Sequence, residues 1–230
     1  MNGNSKGKGK KALIFDSSPI ITLALNNLLD ILPKLKKISK AKFFITPQVK
    51  RESIETPLKI KRFELEALMI SKLIEDGTIE VINPIGLESA TQKVLEMANN
   101  AYISEKETIK LVHVGEASCF AAKNLLLDYD CALVIDERTA RVIAENPENL
   151  RELLQKKLHR PVSMLGRNVD FFKSTKIMRS SELALIAYKN KLIELPASPI
   201  VAVDALLYGV KLNGCSISYE EIEQMKKSFK

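Results

Sequence analysis

The chain has 230 residues, 46% hydrophobic and 27% charged, with a formal net charge of +7. This balance excludes a predominantly disordered chain and suits one packed domain, or a domain with an appendage. Three scattered cysteines (Cys119, Cys131, Cys215) and two histidines (His113, His159) exclude a disulfide framework and a Cys/His zinc site, and point to a reducing, cytoplasmic setting.

The basic excess favours a polyanionic partner, although a lysine-rich solvated surface produces the same number. Residues 1–10 read as a flexible basic tail, either an electrostatic arm or a solvated terminus. The apolar run Ala12–Phe15 is too short for a signal-peptide core, and no apolar stretch approaches the roughly 18 residues of a membrane span.

Lys11–Phe15 reads as a strand. Ser17-Ser18-Pro19 then starts a helix, with apolar spacing over Ile20–Leu32 and Pro33 at its end. Ala41–Ile45 is a second strand, after which Thr46-Pro47 starts another helix. Ile60–Glu75 is helical up to Asp76-Gly77, Ile79–Ile82 is a short strand, Ser89–Ala101 is helical, and Tyr102–Val112 is ambiguous. Gly115–Leu127 reads as a helix, Ala132–Ile135 as a strand and Glu137–Glu145 as a helix. Glu148–Leu158 and Glu182–Lys191 are helical with a short strand, Lys176–Met178, between them. Pro199–Leu212 and Ser218–Phe229 close the chain as helices, the last opened by a capping box of Ser218 and Glu221. Alternating strands and helices predict an α/β fold in three layers, a central parallel sheet with helices on both faces.

Four acids fall at strand-to-helix junctions. Asp16 ends the first strand, Glu52 lies early in the helix after the second, Glu116 starts a helix, and Asp136 ends a later strand. Ligands of open α/β sheets bind outside the carboxyl ends of the strands, so the four are expected to converge there. Singly, each also reads as a helix cap or a partner of a helix dipole. Together they form a carboxylate cage that needs a cation. Oxygen-only donors suit Mg²⁺ or Mn²⁺, and such an ion promotes phosphodiester hydrolysis. Asp16, Glu116 and Asp136 are the expected metal ligands, with Glu52 completing the cage. A phosphate-binding P-loop and a dinucleotide fingerprint are absent. His113 reads either as a substrate-positioning or as a structural residue.

Phe15-Asp16-Ser17-Ser18-Pro19, Ile45-Thr46-Pro47-Gln48-Val49-Lys50-Arg51-Glu52, Gly115-Glu116-Ala117-Ser118 and Val134-Ile135-Asp136-Glu137-Arg138-Thr139-Ala140-Arg141 together resemble the PIN-domain family, in the order and spacing of its archaeal and bacterial members, some of which are VapC toxins. The resemblance covers 11–146 and resumes over 177–195. It implies a ribonuclease using Mg²⁺ or Mn²⁺, RNA as partner, Ser18 supporting the first acid, and Arg141 facing phosphate. For toxin members it also implies an antitoxin. Residues 147–174 read as a helical insertion that lengthens an RNA surface, forms a homodimer contact or is merely solvated, and 196–230 as a helical extension. Two other readings stay open: a PIN-like module that binds RNA or protein without cutting, and a structure-specific DNA nuclease.

Overall fold

The structure, a computed structural model, describes residues 9–173 and 175–228. Most of the expected basic tail, residues 1–8, lies outside them. The core is a five-stranded, wholly parallel sheet in the order β3-β2-β1-β6-β8. These strands are β1 (Lys10–Phe15), β2 (Lys42–Ile45), β3 (Glu80–Val81), β6 (Tyr129–Val134) and β8 (Ile177–Met178). Helices flank the sheet, as the alternation predicts. β1 is central, and Ile14 and Phe15 are wholly buried, as an apolar strand covered on both faces requires. β1 has β2 on one side and β6 on the other, so the chain reverses direction across the sheet at this strand. The crevice at such a point is where α/β sheets bind ligands.

The first predicted helix is two helices, α1 (Ser17–Leu25) and α2 (Ile31–Ser39). Asn27 takes φ 55° and breaks the run. Pro33 does not end a helix. It lies in the first turn of α2, where a missing N–H costs no helical bond. After β2 come α3 (Pro47–Lys50), a π-helical turn (Arg51–Glu55), two 3₁₀ turns (Pro57–Lys59 and Lys61–Phe63) and α4 (Glu64–Glu75), so the regular helix starts later than the apolar pattern. α5 (Leu87–Asn99) and α6 (Val114–Leu125) pack on each other.

The ambiguous stretch after α5 is a tight hairpin, β4 (Tyr102–Ser104) and β5 (Glu107–Thr108), turned by Glu105 and Lys106, both at positive φ. The 147–174 region is not wholly helical. α8 (Pro147–Leu158) and α9 (Gly166–Asp170) bracket β7 (Ser163–Met164), which pairs with β4 to make a second, antiparallel sheet. Its Leu150, Leu154, Val162, Val169 and Phe172 join the main hydrophobic core, so it is built into the domain. Between these regions, α7 (Arg138–Glu145) follows β6. After β8 come α10 (Ser180–Lys189), α11 (Pro199–Leu212) and α12 (Tyr219–Lys227). The last three share a smaller core around Leu185, Val203, Leu207 and Ile222. No helix among the described residues is long and apolar enough to cross a membrane.

Candidate active site

β1 delivers Asp16 to the carboxyl end of the sheet as the N-cap of α1. Its Oδ2 accepts from Ser18 Oγ at 2.7 Å and from Ser18 N at 3.3 Å. Ser18, expected to support the first acid, thus hydrogen-bonds Asp16 through both its hydroxyl and its backbone N–H. Asp16 is 4% exposed, and burial pushes its carboxyl above the ordinary range. The Ser18 and Ser17 hydrogen bonds oppose that rise, and the nearby Glu52 charge adds to it.

Glu52 reaches the same place from the next crossover. Thr46 caps α3 by accepting from Val49 N, and the helix then widens into the π turn that carries Glu52. Single π turns inserted in helices re-aim side chains and recur at functional sites. Here Glu52 Oε2 accepts from Ser17 Oγ at 3.2 Å, and Oε1 from Gln48 Nε2 at 2.8 Å.

Glu116 lies in the first turn of α6, where its Oε2 accepts from His113 N at 2.8 Å. Burial pushes its carboxyl up to about 8. The His113 N–H opposes the rise, and the charges of Asp16, Glu137 and Glu52 reinforce it. The preceding Gly115 makes the convergence possible. A Cβ there would sit 2.4 Å from Glu52 Oε2 and 3.2 Å from Asp16 Oδ1, so the absent side chain leaves the space these two carboxylates occupy.

Asp136 departs from expectation. It ends the β6 crossover and is 1% exposed, but both its oxygens face α10: Oδ1 accepts from Ser180 N and Oδ2 from Ser180 Oγ, each at 2.7 Å. Thr22 and Cys215 lie beside it, and its carbonyl accepts from Ser216 N. A buried carboxylate is stabilised where donors are most abundant, here the free N–H groups at a helix start. Its neighbour Glu137, the N-cap of α7, is the acid whose charge reaches Glu116. The adjacent pair Asp136-Glu137 at a strand-to-helix junction was the available signal for Glu137, but which of two successive acids faces a site depends on tertiary packing. Gln48 and Gly115 were likewise visible in the motifs without an evident role, and Ser17 was visible only as part of a helix start.

Arg141 also differs from its expected place. Its Nη1 bonds Glu221 of α12 at 2.8 Å, and Glu221 in turn holds Arg179, which is only 4% exposed and also pairs with Glu182. This network ties α7, α10 and α12 together. His113 contributes its backbone N–H as the residue that caps α6.

Asp16 and Glu52 thus meet against Gly115, with Glu116 next in the chain, while Glu137, whose charge adds to the rise at Glu116, caps α7 through Thr139 N. Among the described residues no lysine, arginine or histidine forms an ion pair with any of the four. In kind, an all-carboxylate donor set fits a hard divalent cation. In spacing, no three Asp, Glu, His or Cys side chains among the described residues are close enough to hold an ion as they stand. Holding one therefore requires side-chain rotations; Glu52 and Glu137 are half-buried, whereas Asp16 and Glu116 are buried. Comparison of the chain with profiles of known protein families, with curated proteins and with solved structures returns no match.

Proposed function

We propose that this chain is a divalent-metal-dependent endoribonuclease that hydrolyses phosphodiester bonds at the carboxylate site. The observation that carries the reading is the convergence of Asp16, Glu52 and Glu116 around Gly115, without a basic partner among the described residues, at the carboxyl end of a parallel sheet. Unpaired clustered carboxylates are costly, and that cost is typical of sites built to receive a cation.

Asp16, Glu52 and Glu116 are the residues proposed to hold Mg²⁺ or Mn²⁺, with Glu137 as a further acid. When bound, the ion would polarise the phosphate and activate water for in-line attack. The protein's part is positioning. Ser18 orients Asp16, while Ser17 and Gln48 hold the two oxygens of Glu52 in the metal-free protein and would yield them to an ion. The His113 N–H orients Glu116. Asp136 acts here as a positioning residue, fixing the start of α10 against β6.

The spacing of the carboxylates is the observation that favours a second reading, a PIN-like module that binds RNA or protein without cutting. Cleavage of single-stranded RNA, single-stranded DNA and flap substrates in Mn²⁺ and in EDTA, by wild type and Asp16→Asn, separates the readings. Mn²⁺-dependent RNA cleavage abolished by Asp16→Asn supports the nuclease. Cleavage unchanged by that substitution sinks the proposed site, and calorimetry showing no Mn²⁺ uptake favours the binding module. Gel filtration with light scattering, and co-expression with any small neighbouring reading frame, test the homodimer and the antitoxin.

A further inference from the structure

A groove of about 640 Å³ opens beside the carboxylates, between α3, the start of α5 and the start of α6. It connects to the site in two places. Gln48 lines the groove and donates to Glu52 Oε1. Val114 lines it and precedes Gly115, against which Glu52 and Asp16 sit.

The lining is chemically selective. Asn83, Gln48 and Gln92 contribute neutral amides, and Leu87, Leu95 and Val114 contribute aliphatic surface. The single cation, Arg51, is balanced within the groove by Glu88, so the lining carries no net positive charge to hold a phosphate at its centre. Among the described residues the side chains of Arg51 and Asn83 have no hydrogen-bond or ion-pair partner. Gln92 uses only its amide nitrogen, on Glu96, and keeps its oxygen free. Side-chain amides match the donor–acceptor edges of nucleobases, and aliphatic walls pack on their faces.

We infer that this groove is a nucleobase subsite: it takes one unpaired base of a single-stranded RNA next to the phosphodiester bond at the carboxylates. Asn83 and Gln92 read the base edge, and Arg51 contacts the adjoining phosphate. The inference rests on the proposed nuclease reading for the position of the cleaved bond, but not for base binding itself. The absence of aromatic residues from the lining makes recognition depend on hydrogen bonds, which distinguish bases, more than on stacking, which tolerates them all.

The test is fluorescence-anisotropy binding of labelled oligo(A), oligo(C) and oligo(U) to the full chain in EDTA, where the proposed cleavage is blocked. The wild type is expected to separate its best from its worst oligonucleotide by about tenfold. Asn83→Ala combined with Gln92→Ala collapses that separation while leaving the melting temperature unchanged. Arg51→Ala weakens all three alike and lowers the salt-dependence slope by about 0.7, one single-strand phosphate contact. Wild-type ranking and affinities preserved in the double variant overturn the subsite, as does a wild type that binds none of the three or all equally. A groove used by a peptide gives the same overturning result. Mn²⁺-dependent cleavage by the same proteins separates the two proposals. Cleavage with unchanged base preference removes the subsite alone, whereas base discrimination without cleavage removes the nuclease alone.

Discussion

Gly115→Ala isolates the geometry of the carboxylate site from the stability of the fold. The new Cβ would stand 2.4 Å from Glu52 Oε2, where ordinary contact begins at 3.4 Å, so that oxygen must retreat by about 1 Å. Glu52 Oε2 is the end of a flexible side chain, so the backbone has no need to move. The retreat breaks the Ser17 Oγ hydrogen bond, worth about 1 kcal/mol. Alanine in place of a helical glycine returns about 0.5–1 kcal/mol. The net stability change is therefore within ~1 kcal/mol, a shift of at most about 2–4 °C in Tm for a chain of this size. A reacting group displaced by about 1 Å, in contrast, loses about 100-fold in rate. Thermal melts, Mn²⁺ calorimetry and RNA cleavage should therefore diverge: near-normal Tm, weakened metal binding and cleavage reduced by about two orders of magnitude. If the effect passes through Glu52, Gly115→Ala adds little on top of Glu52→Ala. A full additive loss in the double variant, or wild-type cleavage in the single one, would refute the reasoning.

In metal-free protein, burial holds the Glu116 carboxyl up to about 8 against an ordinary 4.5. The folded state binds that proton more tightly than the unfolded chain, so the stability it confers is complete below about pH 4.5 and is lost as pH rises through about 8. In EDTA, Glu116→Gln should gain Tm over wild type progressively across that window, and parallel pH profiles would count against it. Ser180→Ala removes the hydroxyl hydrogen bond to the buried Asp136 carboxylate and should cost about 2 kcal/mol in denaturant unfolding, with Mn²⁺ affinity little changed. A large loss of Mn²⁺ affinity there would return Asp136 to the set of ligands. Glu221→Gln weakens the ties of Arg141 and the nearly buried Arg179, and should cost about 1–3 kcal/mol and loosen α12 in hydrogen exchange. Unchanged protection of 219–227 would argue against the brace.

Much of this architecture is legible in the chain itself. The apolar run of β1, the helix starts at Ser17 and Pro47, and the alternation of periods fix a parallel sheet, because these are local preferences that tertiary packing reinforces; the cap of the first helix, expected from a serine, comes instead from Asp16. The break at Asn27 and the hairpin at Glu105-Lys106 were not legible, since non-glycine residues enter positive φ only where the surrounding structure holds them there. The placement of Asp16, Glu52 and Glu116 at strand-to-helix junctions followed from topology. Local pattern alone does not show that a π turn brings Glu52 back to Asp16, or that Gly115 is small for the sake of two carboxylates. The sequence by itself determined which acids stand at the carboxyl edge of the sheet, because strand and helix boundaries are written in short-range chemistry. Only the tertiary structure decided that both oxygens of Asp136 turn to Ser180, and that Arg141 answers to Glu221 from 80 residues away. Those choices depend on which buried charge finds its donors first among elements that are distant in the chain.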